Sequence, residues 1–378
     1  MGELKVRSAV LREMGLPKPY KDSRPITIET LELDPPQTGE VLVEVKAASL
    51  CHSDLSVIDG SRPRPLPMAL GHEASGVVKE VGAGVTDLQP GDHVVFVFVP
   101  SCGECIPCKE GRPALCEKGA VSNTNGTLLG GGIRLHKDDE TILHHLGVSA
   151  FSDHAVVSRK SVVKVDKNIP FEQIALFGCA VITGVGAVVN TANIKFGSTV
   201  AIIGLGGIGL SALLGAIASG ASRIIAVDIN ETKLEKAREL GATDVFDSKD
   251  PKVVELIKEA TGGGVDYAFE TAGVVKAMEV AYAVTKRGGT TVTTGLPHPD
   301  HHFSFPQVTL TAEEKTLKGS YVGSCVPNRD IPRFIELFRQ QRLPVDKLVA
   351  KFIRLDEINE GFDLLAKGEY SRIIINEF

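Results

Sequence analysis

The stretch "STVAIIGLGGIGLSALLGAIASG", residues 198–220, decides the fold. It opens on an apolar, β-branched run, breaks at Gly204-x-Gly206-x-x-Gly209, and resumes as an apolar helical pattern. In such a turn the first glycine permits the bend, and the second lets the backbone approach a pyrophosphate. The third, Gly209 here, lets helix and strand pack closely. The free N–H groups at the helix start, from Gly207 onward, then face an anion. A lone glycine pattern is a weak signal. Here Asp228 closes the next strand, 19 residues beyond Gly209, where a carboxylate would hold ribose hydroxyls. That carboxylate would repel a 2′-phosphate, so NAD is expected over NADP. Lys233, five residues further, either supports the adenosine ribose or is a solvated helix lysine.

The same rhythm repeats outward from this turn. "STVAIIG", "RIIAVD", "DVFD", "VDYAFET", "TTVTTG" and "TLKGSYVG" are six strand candidates. Helical patterns lie between them, such as "ETKLEKAREL", which ends at Gly241. This alternation predicts an α/β domain with a doubly wound, six-stranded parallel sheet over 181–324. Residues 5–98 instead alternate short β-type runs with Pro/Gly turns, which suits an irregular, mainly-β domain. The tail from about 325 drops the alternation and is expected to return to that first domain.

At 378 residues the chain exceeds one ordinary core, and its 43% apolar content is that of a globular protein. A net charge of −6, with Lys and Arg scattered, gives no basic field for nucleic acid. Glu3, Lys5 and Arg7 interrupt any apolar leader, so a cytoplasmic location is expected. The uncharged runs 174–194 and 196–222 are long enough to raise a membrane span. Glycines and polar residues break both, so buried core is expected and no membrane partner. In that setting seven cysteines point to reduced thiols or bound metal rather than disulfides.

"CGECIPCKEGRPALC" places Cys102, Cys105, Cys108 and Cys116 on one short loop. Four such thiolates can close tetrahedrally on Zn²⁺ with no open position. An iron–sulfur cluster or a redox dithiol would use the same residues, but nothing else in the chain suggests electron transfer. Elsewhere "SLCHSDLS" carries Cys51, "ALGHEASG" carries His72 beside Glu73, and "LFGCAVITG" carries Cys179. Two thiols and one imidazole are a donor set for catalytic zinc with an exchangeable fourth position. Spacing alone does not bring residues 51, 72 and 179 together. Buried thiols and a satisfied core histidine compete.

Together "CHSD", "GHEASG", the four-cysteine lobe, "GCA", "GLGGIG", "VDIN" and "INEGFDLLAKGEYSRIII" resemble the zinc-dependent medium-chain alcohol dehydrogenases. The resemblance covers essentially the whole chain, in the family's order. It implies a GroES-like catalytic domain over 1–180, with a structural zinc lobe at 100–117, completed by 325–378. Beside it stands a Rossmann domain over 181–324 that binds NAD. It implies Cys51, His72 and Cys179 as catalytic zinc ligands, and the four lobe cysteines as ligands of a second, structural zinc. Glu73 falls where the family has an acid behind the zinc, and Asp54 where a carboxylate orients the ligand histidine. Ser53 falls on the hydroxyl that takes the substrate proton, and His52 and Arg372 on groups that bind the cofactor pyrophosphate. Phe98, His145, Leu146, Leu296 and Tyr321 fall on the substrate pocket. Cys325 matches no ligand and is expected to be a small buried thiol.

One position departs from the pattern. In many relatives the proton relay ends at a histidine five residues after the first zinc cysteine, and here that position is Ser56. A serine holds no proton near neutral pH. His52 is the candidate substitute, since imidazole titrates in the useful range; water completing the relay is the alternative.

The implied activity is reversible oxidation of primary alcohols, aliphatic or aromatic and by extension secondary, to aldehydes or ketones, with hydride passing to the nicotinamide. Arg62 and Arg64 of "GSRPRPLP" are either an anchor for an anionic group or solvated loop arginines. A glutathione-dependent formaldehyde dehydrogenase would need a cationic anchor around 117–125, where only Lys118 stands. Zinc-free quinone reductases and non-catalytic relatives share the fold, and the complete Cys51–His72–Cys179 set argues against both. The family also implies a homo-oligomer, dimer or tetramer, formed through edge strands near "SFPQVTL" and "KGSYVG". The long segment between Cys116 and His144 resembles the dimeric forms. "HPDHH", residues 298–302, is expected to be an exposed loop.

Overall fold

The computed structural model describes residues 4–378. The chain divides into two units. The first runs to Cys179 and takes in Val326–Arg333 and Val349–Phe378; the second comprises Ala180–Cys325 and Phe334–Leu348. Phe334–Leu348 was expected with the first unit and groups with the second instead. The turn Val345–Leu348 packs on the helix Gly207–Ala218, which follows the glycine turn.

The first unit is built on a five-stranded closed barrel and a seven-stranded sheet. The barrel joins β1 (Leu4–Leu11), β2 (Ile26–Leu33), β7 (Leu135–Lys137), β8 (Glu140–His144) and β4 (Met68–Ala69). Val6, Val10, Leu31, Leu33, Leu135 and Ile142 from the strands, with Leu128 from a loop, pack into one core cluster. In the sheet, β3 (Glu40–Ser49) pairs with β5 (Ala74–Val81) and with β9 (His154–Ser158). The C-terminal strand β18 (Ile373–Glu377) returns to the start of the chain, with Ile374 opposite Ser49 and Ile375 opposite Ala48. That pairing sets Arg372 beside the turn that carries Cys51.

The second unit contains the six strands expected from the sequence, all parallel. Their order is β13 (Asp244–Asp247), β12 (Arg223–Asp228), β11 (Thr199–Ile203), β14 (Val265–Glu270), β15 (Thr285–Thr293) and β16 (Thr316–Gly319). Strand order reverses beside β11, whose C-terminal end opens into the glycine turn. Ligands bind at such a switch point. Ile203, Ile225, Val227, Ile257, Val265, Val280 and Val284 form one face of the core between sheet and helices. "SFPQVTL" is not an edge strand: Pro306 caps a helix, Gln307–Ala312. The edge strand on that side of the sheet is β16, all four of its residues exposed. Among the described residues no single helix is long and apolar enough to cross a membrane.

Charge fastens the barrel wall. Arg12 grips the buried Glu29 carboxylate with two hydrogen bonds, Nε to Oε1 at 2.7 Å and Nη2 to Oε2 at 2.9 Å. Lys137 Nζ donates to Glu29 Oε2 at 2.6 Å. The Arg12 hydrogen bonds, aided by Lys137 and Thr27 against the effect of burial, pull Glu29 down to about 2. A carboxylate held below its unfolded value stabilises the fold above that value and loses the stabilisation as pH falls toward 2. Glu29→Gln should therefore lower stability at pH 7 by about 2 kcal/mol. It should also flatten the loss of stability between about pH 4.5 and 2. Urea titrations at pH 7, 4 and 3 measure this, and a parallel shift of both proteins at every pH would contradict it.

Candidate metal and nucleotide sites

The cysteine lobe lies on two short turns, and backbone N–H groups meet two of its sulfurs. The N–H groups of Glu104 and Cys105 donate to Cys102 Sγ at 3.4 Å, and those of Cys102 and Gly119 to Cys116 Sγ at 3.2 and 3.3 Å. Those backbone donors lower Cys102 to about 6, while burial pushes Cys108 up to about 12 and raises Cys116. All four sulfurs lie within 4.8 Å of one another, and Cys105 Sγ is 3.9 Å from Cys116 Sγ. A tetrahedron of sulfurs about 2.3 Å from Zn²⁺ has edges of about 3.8 Å. The lobe fits a four-sulfur metal ion with no open position.

The second cluster is assembled from three distant stretches. Cys51 stands just before the helix His52–Ile58, His72 just before β5, and Cys179 at the end of the first unit. Their donor atoms and a Glu73 oxygen lie within 4.8 Å of one another, all buried. His72 Nε2 is buried with no hydrogen-bond partner, and a buried orphan of this kind is costly unless something outside the chain meets it. A hydrogen bond from Cys179, with His72 and Arg372 close by, holds the Cys51 thiol well below its ordinary value. The same contact and burial push Cys179 well above its own. Burial opposes charge on His72, but Asp54 and Cys51 outweigh it and lift the ring well above its usual value. Two soft sulfurs and an imidazole, drawn toward positive charge, fit a zinc ion with one exchangeable position.

Around these donors lie two buried carboxylates. Asp54 Oδ1 is 3.1 Å from His72 Nδ1 and 3.0 Å from His145 Nδ1. Burial resists a charged Asp54, yet the two histidines keep it below the ordinary carboxylate range; burial in turn keeps His145 low. Glu73 Oε2 accepts from Arg372 Nη1 at 3.1 Å, and Arg372 is 3% exposed. The Phe98 ring meets His72 edge-on at 5.2 Å. Asn123 Nδ2 donates to Phe98 O at 2.8 Å, and Arg64 Nη1 to Asn123 O at 3.4 Å. Arg64 is thus half-buried against the Phe98 wall rather than a solvated loop arginine. Neither Asn123 nor its tie to Arg64 is visible in the sequence, because no local pattern links residues 64, 98 and 123.

In the second unit the glycine turn has the shape its motif requires. Gly204 sits at φ +96°, and a Cβ there would meet Ala272 at 2.8 Å. A Cβ on Gly209 would meet Gly204 O at 1.8 Å, whereas one on Gly206 would meet nothing within 4 Å. The first and third glycines are needed by the fold; the second leaves open space before a helix start, which fits a pyrophosphate. Asp228, buried at the end of β12, accepts from Leu205 N at 2.7 Å and Asn230 N at 3.0 Å. Glu270, a buried residue missed in the sequence, accepts from Ala272 and Gly273 N at 2.8 and 2.6 Å and fixes the facing loop.

Family comparisons agree with this geometry. Residues 37–167 match the model of the alcohol dehydrogenase GroES-like domain, and residues 207–340 that of the zinc-binding dehydrogenase. An alcohol dehydrogenase zinc-binding domain protein from Burkholderia ambifaria is 36% identical over 100% of both chains, with a TM-score of 0.93. The chain belongs to the zinc-dependent medium-chain alcohol dehydrogenases. Benzyl alcohol dehydrogenase from Acinetobacter calcoaceticus is also 36% identical, over 99% of this chain and 100% of that one, with a TM-score of 0.92. A structure from Sinorhizobium meliloti 1021, bound to NADP, is 26% identical over 99% of each chain, with a TM-score of 0.81.

The other residues singled out in the sequence fall some in the first unit and some in the second. Ser53 is half-buried and His52 exposed at the start of their helix, and Ser56 Oγ donates to His52 O at 2.9 Å. Phe98 and His145 lie against the His72 ring, and Leu146 is buried. Leu296 and Tyr321 belong to the second unit, where both are exposed, and Lys233 is half-buried on the helix after Asp228. Cys325 is wholly buried in the second unit, its thiol donating to Ile182 O at 3.3 Å. His298 and His301 lie on an exposed loop.

The glycines of the turn separate fold from ligand. Gly209→Ala should destabilise the second unit by about 3 kcal/mol. Gly206→Ala should keep the melting temperature but weaken dinucleotide binding roughly tenfold or more. Calorimetric melting beside fluorescence titration of the reduced dinucleotide checks both. Equal losses of stability in the two variants would contradict the division of roles.

Proposed function

We propose that the chain is a zinc- and NAD-dependent enzyme that interconverts primary alcohols, aromatic ones first, with their aldehydes. The observation that carries this is the buried Cys51–His72–Cys179 set with the orphaned Nε2 of His72 at its centre. These three residues would hold the catalytic zinc, and Cys102, Cys105, Cys108 and Cys116 a structural one. When bound, zinc supplies a Lewis acid at the substrate oxygen, and NAD supplies the hydride acceptor.

The chain's own residues do the rest. Asp54 takes the Nδ1–H of His72, so the ring presents its Nε2 lone pair to the ion. Arg372 neutralises Glu73 behind the ligands and, in the family's pattern, also faces the cofactor pyrophosphate with His52. Phe98 and Leu146 supply an apolar wall that favours an aromatic or aliphatic carbon next to the reacting one. Ser53 Oγ accepts the alcohol proton and passes it to His52, which is exposed and hands it to solvent. Ser56 takes no part, since its hydroxyl is donated to the His52 carbonyl.

Asp228 at the end of β12 supports NAD over NADP, through repulsion of a 2′-phosphate. The similarity to a benzyl alcohol dehydrogenase supports an aromatic substrate. A glutathione-linked activity is weakened by Lys118, whose Nζ is engaged with Glu104 at 2.7 Å. The exposed edge strand β16 supports pairing between copies in a homo-oligomer.

Purified protein should carry about two zinc ions per chain and oxidise benzyl alcohol with NAD. Its kcat/KM with NAD should exceed that with NADP by roughly tenfold or more. Cys51→Ala should keep one zinc and bind NAD but lose turnover. One zinc in the unmodified protein, or turnover surviving in Cys51→Ala, would sink the assignment.

A further inference from the structure

We propose that Glu270 is a positioning residue for the dinucleotide: its buried carboxylate holds the 271–273 loop as the wall of the crevice that takes the nicotinamide half. This rests on the NAD site proposed above. Glu270 ends β14 and is 1% exposed. Its Oε1 accepts from Ala272 N at 2.8 Å and Gly273 N at 2.6 Å. Its Oε2 accepts from Thr293 Oγ1, at the end of β15, at 2.7 Å. Among the described residues no basic side chain pairs with this carboxylate. A buried carboxylate without a cation persists only where hydrogen bonds satisfy it, and bonds to a charged acceptor are the strong ones. The loop and the end of β15 are therefore tied to one group.

The loop lies directly against the glycine turn. Thr271 Oγ1 donates to Gly204 O at 2.6 Å, and a Cβ on Gly204 would meet Ala272 at 2.8 Å. On its other side Gly273 is left-handed at φ +72°, and a Cβ there would meet Leu296 N at 3.1 Å. A Cβ on Gly295 would strike both Glu270 Oε2 and Gly273 N. Strand order decides which half of the cofactor meets this loop. β12, with Asp228 at its end, flanks β11 on one side, and β14 flanks it on the other. In a doubly wound sheet each flank of the switch point takes one mononucleotide. Asp228 gives the β12 flank to the adenosine ribose, so the nicotinamide mononucleotide falls to the β14 flank, over the loop. Val274 and Leu296 border it there, each 52% exposed, and offer apolar surface to a flat ring.

Whole and half ligands separate positioning from support of the fold. Glu270→Met fills similar space but accepts no strong hydrogen bond, so Ala272 N and Gly273 N lose their acceptor. Glu270→Gln keeps an acceptor for both. Gly295→Ala presses on the carboxylate and the loop from the opposite side and leaves the charge in place. The readout is calorimetric titration of each purified protein with NADH and with 5′-AMP. Glu270→Met and Gly295→Ala should bind NADH roughly tenfold or more weakly, and 5′-AMP within roughly twofold of the unmodified protein. Glu270→Gln should stay within roughly threefold for both ligands. Unchanged NADH binding in Glu270→Met would overturn the inference. So would matching losses of NADH and 5′-AMP, which would make Glu270 a prop of the whole unit, or a loss in Glu270→Gln as large as in Glu270→Met. Should Glu270→Met fail to fold, Gly295→Ala decides by the same two titrations. If the unmodified protein bound neither ligand, the dinucleotide reading itself would fall; full NADH binding by unmodified protein and Glu270→Met alike would overturn the positioning role alone.

Discussion

The first unit depends on one electrostatic constraint: it buries more negative than positive charge in a single small volume. Asp54 and Glu73 are wholly buried, and Cys51 is drawn toward its thiolate. The one arginine among them is Arg372, paired to Glu73. Buried charges persist only when paired or bound to a metal. The demand for further positive charge falls on His72 Nε2, the orphaned atom at the centre of the donors. A divalent ion meets that demand and at the same time binds both thiols. The chemistry follows from how the fold resolves its own charge.

Supporting parts of the structure bring distant stretches to that point. The C-terminal strand pairs with β3 and delivers Arg372 to Glu73. The barrel, fastened by Arg12, Glu29 and Lys137, ends β8 at His144 and so sets the turn that carries His145. The cysteine lobe closes on itself through backbone N–H groups, so it can hold an ion without help from the rest of the unit.

What the sequence reveals divides along the same line. The glycine turn, the six parallel strands and the four-cysteine lobe are local, and each is legible from spacing. The trio Cys51, His72 and Cys179 is not, because nothing in three separate stretches says they meet; there the family resemblance supplied the grouping. "SFPQVTL" has the composition of a strand, yet Pro306, its third residue, caps a helix instead. Phe334–Leu348 joins the second unit through packing that no motif marks. The Asp54–His145 contact crosses 91 residues of chain between two unlike elements, and resemblance alone made His145 a pocket residue.

X-ray absorption at the zinc edge tests the central claim most directly, since it counts the atoms around the metal in the unmodified protein. Two occupied sites, one with four sulfurs and one with two, should average to roughly three sulfurs and one nitrogen or oxygen per zinc, with sulfur at about 2.3 Å. A shell of four sulfurs alone would contradict the account, because it would place zinc in the lobe and none at His72.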